Sequence, residues 1–96
     1  MKNLQPNETE LVGEWKFTDG KMLGNEACNR IDHLINHVLK KVGSDASGWD
    51  ILYRDPSDGR FWELTYPQSH MHGGGPPRLT FLSVEEAKVK YGNNIA

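Results

Sequence analysis

The chain has 96 residues, eleven basic and thirteen acidic, for a formal net charge of −2, and it carries one cysteine. That length holds one domain, residues 1–96, since domains run from about 50 to 250 residues and a second core would not fit. The charge balance offers no basic stripe for a direct nucleic-acid partner, and no apolar run is long enough to cross a bilayer.

Cys28 cannot form an internal disulfide, so a reducing compartment is expected. Met1 to Pro6 has no apolar stretch of the signal-peptide kind, which makes the cytoplasm the expected location. Three tryptophans, three phenylalanines and three tyrosines supply enough large side chains for a core. Trp15, Cys28, Ile31, Trp49, Tyr53, Trp62 and Tyr66 are the expected core members.

Leu11 to Phe17 alternates Trp15 and Phe17 with charges before the turn residues Asp19 and Gly20, which predicts a short strand. From Asn25 the period becomes helical: Ala27, Cys28, Ile31, Leu34, Ile35, Val38, Leu39 and Val42 share one stripe. Asn25 is the expected N-cap and Gly43 the stop, with Lys40 and Lys41 at the negative end of the dipole.

Trp49–Arg54 and Phe61–Tyr66 flank Asp55-Pro56-Ser57-Asp58-Gly59 and predict a hairpin. To put Trp49, Ile51 and Tyr53 on one face with Trp62, Leu64 and Tyr66 the loop needs an even number of residues, and a four-residue loop over 55–58 meets this. Arg78–Leu82 is a further strand. Ser83 and Glu86 form a capping box for a short helix through Tyr91, closed by Gly92. The fold class is therefore α+β: a small antiparallel sheet of three to four strands packed against one amphipathic helix, with a short C-terminal helix.

The opposite face of the hairpin holds Asp50, Leu52, Arg54, Phe61, Glu63, Thr65 and Leu82. It either meets a partner or is covered by the N-terminal strand or the C-terminal helix. Residues 49–66 carry Asp50, Asp55, Asp58 and Glu63 against Arg54 and Arg60, so a basic partner would favour this segment. Reversing Asp50 and Glu63 to lysine is expected to weaken such binding at modest cost in stability, whereas Asp55 beside Pro56 reads as a turn former.

The remaining chemistry is sparse. His70 and His72 could converge on a metal ion, and a metal-binding module or metal-dependent hydrolase is the alternative reading. Two ligands make a weak site, however, and His33 and His37 lie on the polar stripe of the helix. Gly73-Gly74-Gly75 lacks the Lys-Ser/Thr pair of a phosphate loop, and Pro76-Pro77 forbid the helix that would follow. Cys28 lies on the apolar stripe and reads as structural, and nothing marks a nucleophile elbow. No catalytic residue, cofactor or metal is assigned.

Tyr53-Arg54-Asp55-Pro56-Ser57-Asp58-Gly59-Arg60-Phe61-Trp62-Glu63-Leu64-Thr65-Tyr66-Pro67-Gln68-Ser69, continued by His72-Gly73-Gly74-Gly75-Pro76-Pro77, is a long ordered string. It closely resembles the immunity protein 27 family, antitoxins encoded beside the polymorphic toxins of contact-dependent bacterial competition. Leu11-Val12-Gly13, Trp15, Cys28 to Ile31, Gly48-Trp49, Ala87, Lys90, Tyr91 and Gly92 extend the likeness over nearly the whole chain. Phe61 stands where tyrosine would fit as readily.

The resemblance implies a neutraliser of a toxin's C-terminal domain, without catalytic residue or cofactor. Together with the residues, the expectation is occlusion in the cytosol by a chain that is monomeric when free. A peptide-binding module using the aromatic face differs from this mainly in its ligand. Asp50, Asp58, Phe61, Glu63, Ser69, His70, His72 and Gly74 are the expected partner-contact residues.

Overall fold

A computed structural model describes residues 4–67 and 75–92, without the side chains of Thr18 and Met22. It is an α+β fold with seven strands among the described residues: β1 (Glu10–Val12), β2 (Trp15–Thr18), β3 (Lys21–Gly24), β4 (Lys40–Ser44), β5 (Ile51–Arg54), β6 (Phe61–Thr65) and β7 (Arg78–Leu82). Two helices, α1 (Glu26–His33) and α2 (Val84–Tyr91), complete it. Five strands form one antiparallel sheet in the order β1-β7-β6-β5-β4, and β2 pairs only with β3. The expectation of three to four strands is thus corrected upward, while the class stands.

The additional strands come from two places. The N-terminal segment expected as one strand breaks at Gly13 into β1, which joins the large sheet, and β2, which turns back through Asp19 and Gly20 to pair with β3. Both turn residues have positive φ, 52° and 76°. This is the left-handed pair that closes a two-residue hairpin and that aspartate and glycine tolerate. Gly13 is needed at the break, because a Cβ there would lie 2.6 Å from the Pro77 carbonyl oxygen and 2.7 Å from Cys28 Sγ.

The other addition is taken from the helix. Asn25 caps α1 as expected, its Oδ1 accepting from the Cys28 N–H at 3.0 Å. However, α1 ends at His33 and widens into a π-helical turn over Leu34–Val38, closed by the Leu39 N–H donating to Leu34 O at 2.7 Å. Leu39 is then extended, and Lys40–Ser44 becomes the edge strand β4. Leu39 and Val42 fit the helical stripe by spacing alone. In the fold Leu39 is buried in the main core while Val42 packs against the cluster on the other face of the sheet.

The hairpin register agrees with the parity argument: Ile51 pairs with Leu64 and Tyr53 with Trp62, on one face. The last pair is Arg54 with Phe61, so the loop is 55–60, two residues longer than expected but still even. Asp55 organises it. Its N–H donates to Arg60 O at 2.9 Å, its carbonyl accepts from the Gly59 N–H at 2.7 Å, and Oδ1 accepts from the N–H and hydroxyl of Ser57 at 2.9 and 2.7 Å.

The main core lies between α1 and the sheet and contains Ile31, Leu34, Tyr53, Trp62, Leu64 and Leu79. Trp62 is fully buried, with Phe81 edge-on at 6.1 Å and the Arg60 guanidinium over its ring at 5.0 Å. Its Nε1 has no hydrogen-bond partner among the described residues. A second cluster, Leu52, Phe61 and Ala87, sits on the other face under α2. Ser83 and Glu86 form the reciprocal capping box that opens α2.

Candidate functional site

The carboxylates of the hairpin are all engaged within the chain. Lys90 Nζ lies 2.6 Å from Asp50 Oδ2 and 2.6 Å from Glu63 Oε2, and the Tyr91 hydroxyl donates to Glu63 at 2.7 Å. Asp58 accepts from the Arg60 N–H at 3.0 Å and pairs with Arg60 Nε at 2.7 Å. Burial alone would raise the Asp58 carboxyl, but these Arg60 bonds outweigh it and hold it below its ordinary range. Asp55 is buried in its turn. The acidic excess legible in residues 49–66 is therefore largely neutralised by α2 and by the turn itself.

The expected contact residues consequently fall into three groups. Phe61 and Glu63 are buried beneath α2, so of the two possibilities for that face, cover by the C-terminal helix is the one realised. Asp50 and Asp58 remain partly open at the surface. Ser69, His70, His72 and Gly74 lie outside the described residues. Among the described residues no three His, Cys, Asp or Glu side chains gather as a metal site would require.

Three expected core aromatics need correction. Trp15 and Tyr66 are each 36% exposed and Trp49 is 70% exposed. Trp49 and Tyr66 share their alternation with Ile51 and Leu64, but the β5–β6 ladder stops at Ile51 and Leu64, and neither aromatic joins the main core cluster. Cys28, Ile31, Tyr53 and Trp62 are buried as expected, and Cys28 Sγ contacts Glu14 O at 3.5 Å.

Trp49 is presented by an ordered loop. Asp45 Oδ1 accepts from the Ser47 hydroxyl at 2.6 Å and the Gly48 N–H at 3.0 Å, the Asp45 N–H donates to Asp50 O at 3.0 Å, and the Trp49 N–H donates to Ser47 Oγ at 3.1 Å. The Ser47 hydroxyl is the main cause that holds the Asp45 carboxyl below its ordinary range. Gly48, at φ 79°, takes the left-handed conformation that turns the chain into the exposed tryptophan. The Asp-Ala-Ser-Gly run before Trp49 was the available signal that Trp49 belongs to a turn.

The segment that builds this surface also decides the lineage: residues 17–83 match the family model of Immunity protein 27. The chain belongs to the immunity protein 27 family. Its role is accordingly that of an immunity protein, toxin-neutralising, with a protein toxin as partner. The matched stretch runs from within β2 to the cap of α2 and includes the Trp49 loop and the whole β5–β6 hairpin. It is narrower than the likeness read from the sequence, since Leu11-Val12-Gly13 and the residues of α2 fall outside it. No curated protein and no solved structure matches this immunity protein. No helix among the described residues is long and apolar enough to cross a membrane.

Proposed function

We propose that this immunity protein neutralises a cognate toxin domain by direct protein–protein occlusion in the cytosol, and that the toxin attacks a cytosolic target such as nucleic acid, a nucleotide or a translation component. The observation that carries the contact geometry is Trp49. A tryptophan 70% exposed on a hydrogen-bonded loop, with Tyr66 beside the same end of the β5–β6 pair, is a preorganised apolar anchor of the kind that dominates binding energy. The lone buried Cys28, which needs no oxidising compartment, supports the cytosolic assignment.

On this reading the toxin seats along the β4–β5 edge of the sheet, covering about 800 Å² on each partner as stable interfaces do. The test is co-expression with the toxin domain encoded beside the gene, comparing the parent with Trp49→Ala. Protection by the parent and its weakening by the variant are expected, with an affinity loss of tenfold or more. Unchanged protection and affinity in the variant would remove the loop from the contact.

A further inference from the structure

Lys40 and Arg54 are direct cross-strand partners in the β4–β5 pair. Side chains so paired have Cβ atoms about 4.5–5.5 Å apart, and two like charges in that position repel. Both residues are exposed, as is Lys41, the next residue of β4, whose side chain alternates to the other face. Among the described residues none of the three has an ion pair, in contrast to Asp50, Asp58 and Glu63, whose charges are met within the chain. The chain thus pairs the acids of this region and leaves these three cations open.

Lysines on an edge strand can serve simply to discourage pairing with other chains. That role accounts for Lys40 and Lys41 but not for Arg54, which sits one strand in, on β5, with both neighbouring strands already hydrogen-bonded. A cation placed opposite Lys40 there costs the free protein stability and guards nothing.

We infer that the β4–β5 edge is a receptor for an acidic segment of the toxin, whose carboxylates lie between Lys40 and Arg54. The inference rests on the neutralising role proposed above and adds to it the charge of the partner. It reverses the polarity suggested by the composition of residues 49–66. The strand from Lys40 to Ser44 spans about 13 Å, and Ser44 pairs with Ile51 at the end that leads to the Trp49 loop. The cations and the aromatic anchor therefore fall within one interface of ordinary size.

The test uses the full chain and the adjacent toxin domain, with association measured at low and high salt for the parent, Lys40→Glu and Arg54→Glu. Each substitution places an acid opposite the remaining cation, so each variant should melt a few degrees above the parent. Each should nevertheless bind the toxin about tenfold more slowly at low salt, with the difference shrinking at high salt. Parent-like association by folded variants would overturn the inference while leaving the neutralising role intact. Failure of the parent itself to bind would overturn both. Lower melting points in both variants would remove the repulsion on which the argument stands. Binding of the parent to a short duplex DNA or single-stranded RNA, abolished by the same reversals, would replace the acidic protein segment by nucleic acid and so also overturn it.

Discussion

The Tyr91 hydroxyl donates to Glu63 Oε2 at 2.7 Å, tying the last residue of α2 to β6, the middle strand of the large sheet. This bond, with Lys90 on the same carboxylate, holds a helix whose own apolar contact is small: Ala87 is its one buried residue. Tyr91→Phe should therefore lower stability by about 1–3 kcal/mol, because a partly buried carboxylate loses a donor. Glu63→Lys should cost more, since it sets a second cation beside Lys90, and not the modest amount expected of an open strand position. Denaturant melts of both variants check this, and a Glu63→Lys curve superimposed on the parent would refute it.

The tryptophans should divide by burial. Trp62→Ala removes a fully buried ring from the main core and should cost about 3–5 kcal/mol, enough to unfold much of so small a protein. Trp49→Ala should leave the melting temperature within a few degrees of the parent. Thermal melts followed by circular dichroism distinguish the two, and equal losses would contradict the exposure of Trp49.

How much of this was legible depends on how local each determinant is. The caps at Asn25 and Ser83 and the face parity of the β5–β6 hairpin follow from residues within a few positions of one another, and all three were readable. The end of α1 was not, because Leu39 and Val42 satisfy helical spacing while packing on opposite faces of a sheet. Strand β3 was missed although Asp19-Gly20 is a strong hairpin signal, since Lys21-Met22-Leu23-Gly24 shows no apolar alternation. At the candidate site, the partners of Asp50 and Glu63 lie 40 and 28 positions away. Composition shows such charges but not their neutralisation.

Gly13 makes a sharp steric test. A methyl group there meets the Pro77 backbone oxygen, to which the Gly13 N–H also donates at 2.8 Å, so neither side can yield cheaply. Gly13→Ala should destabilise by about 1–3 kcal/mol or more. A variant as stable as the parent in urea would show that the β1–β2 break tolerates a side chain.

The pH dependence follows from the same contacts. Glu86, bonded first by the Ser83 N–H and then by its hydroxyl, and Asp45, bonded first by Ser47, are held below the ordinary carboxylate range. A depressed folded pKa gives stability that is present above about pH 4 and is lost as the pH falls through the folded value. At the other end, burial lowers Lys90 but the bonds to Asp50 and Glu63 outweigh it, and burial followed by the Glu63 bond raises Tyr91. Those contributions are complete below about pH 10 and are lost as the pH rises through the raised values. Melting temperatures should thus fall at both extremes, the acid limb less steeply in Glu86→Gln and the alkaline limb less steeply in Tyr91→Phe. Parallel curves for parent and variants would contradict these assignments.

The central claim is that the chain works by holding a toxin. Titration calorimetry of the purified protein against the toxin domain encoded beside it measures this most directly, with the toxin's activity assayed in the same mixtures. A 1:1 complex with a nanomolar or tighter Kd is predicted, with activity extinguished at equivalence. Absence of binding heat at micromolar concentrations, or a saturated complex in which the toxin remains active, would contradict it.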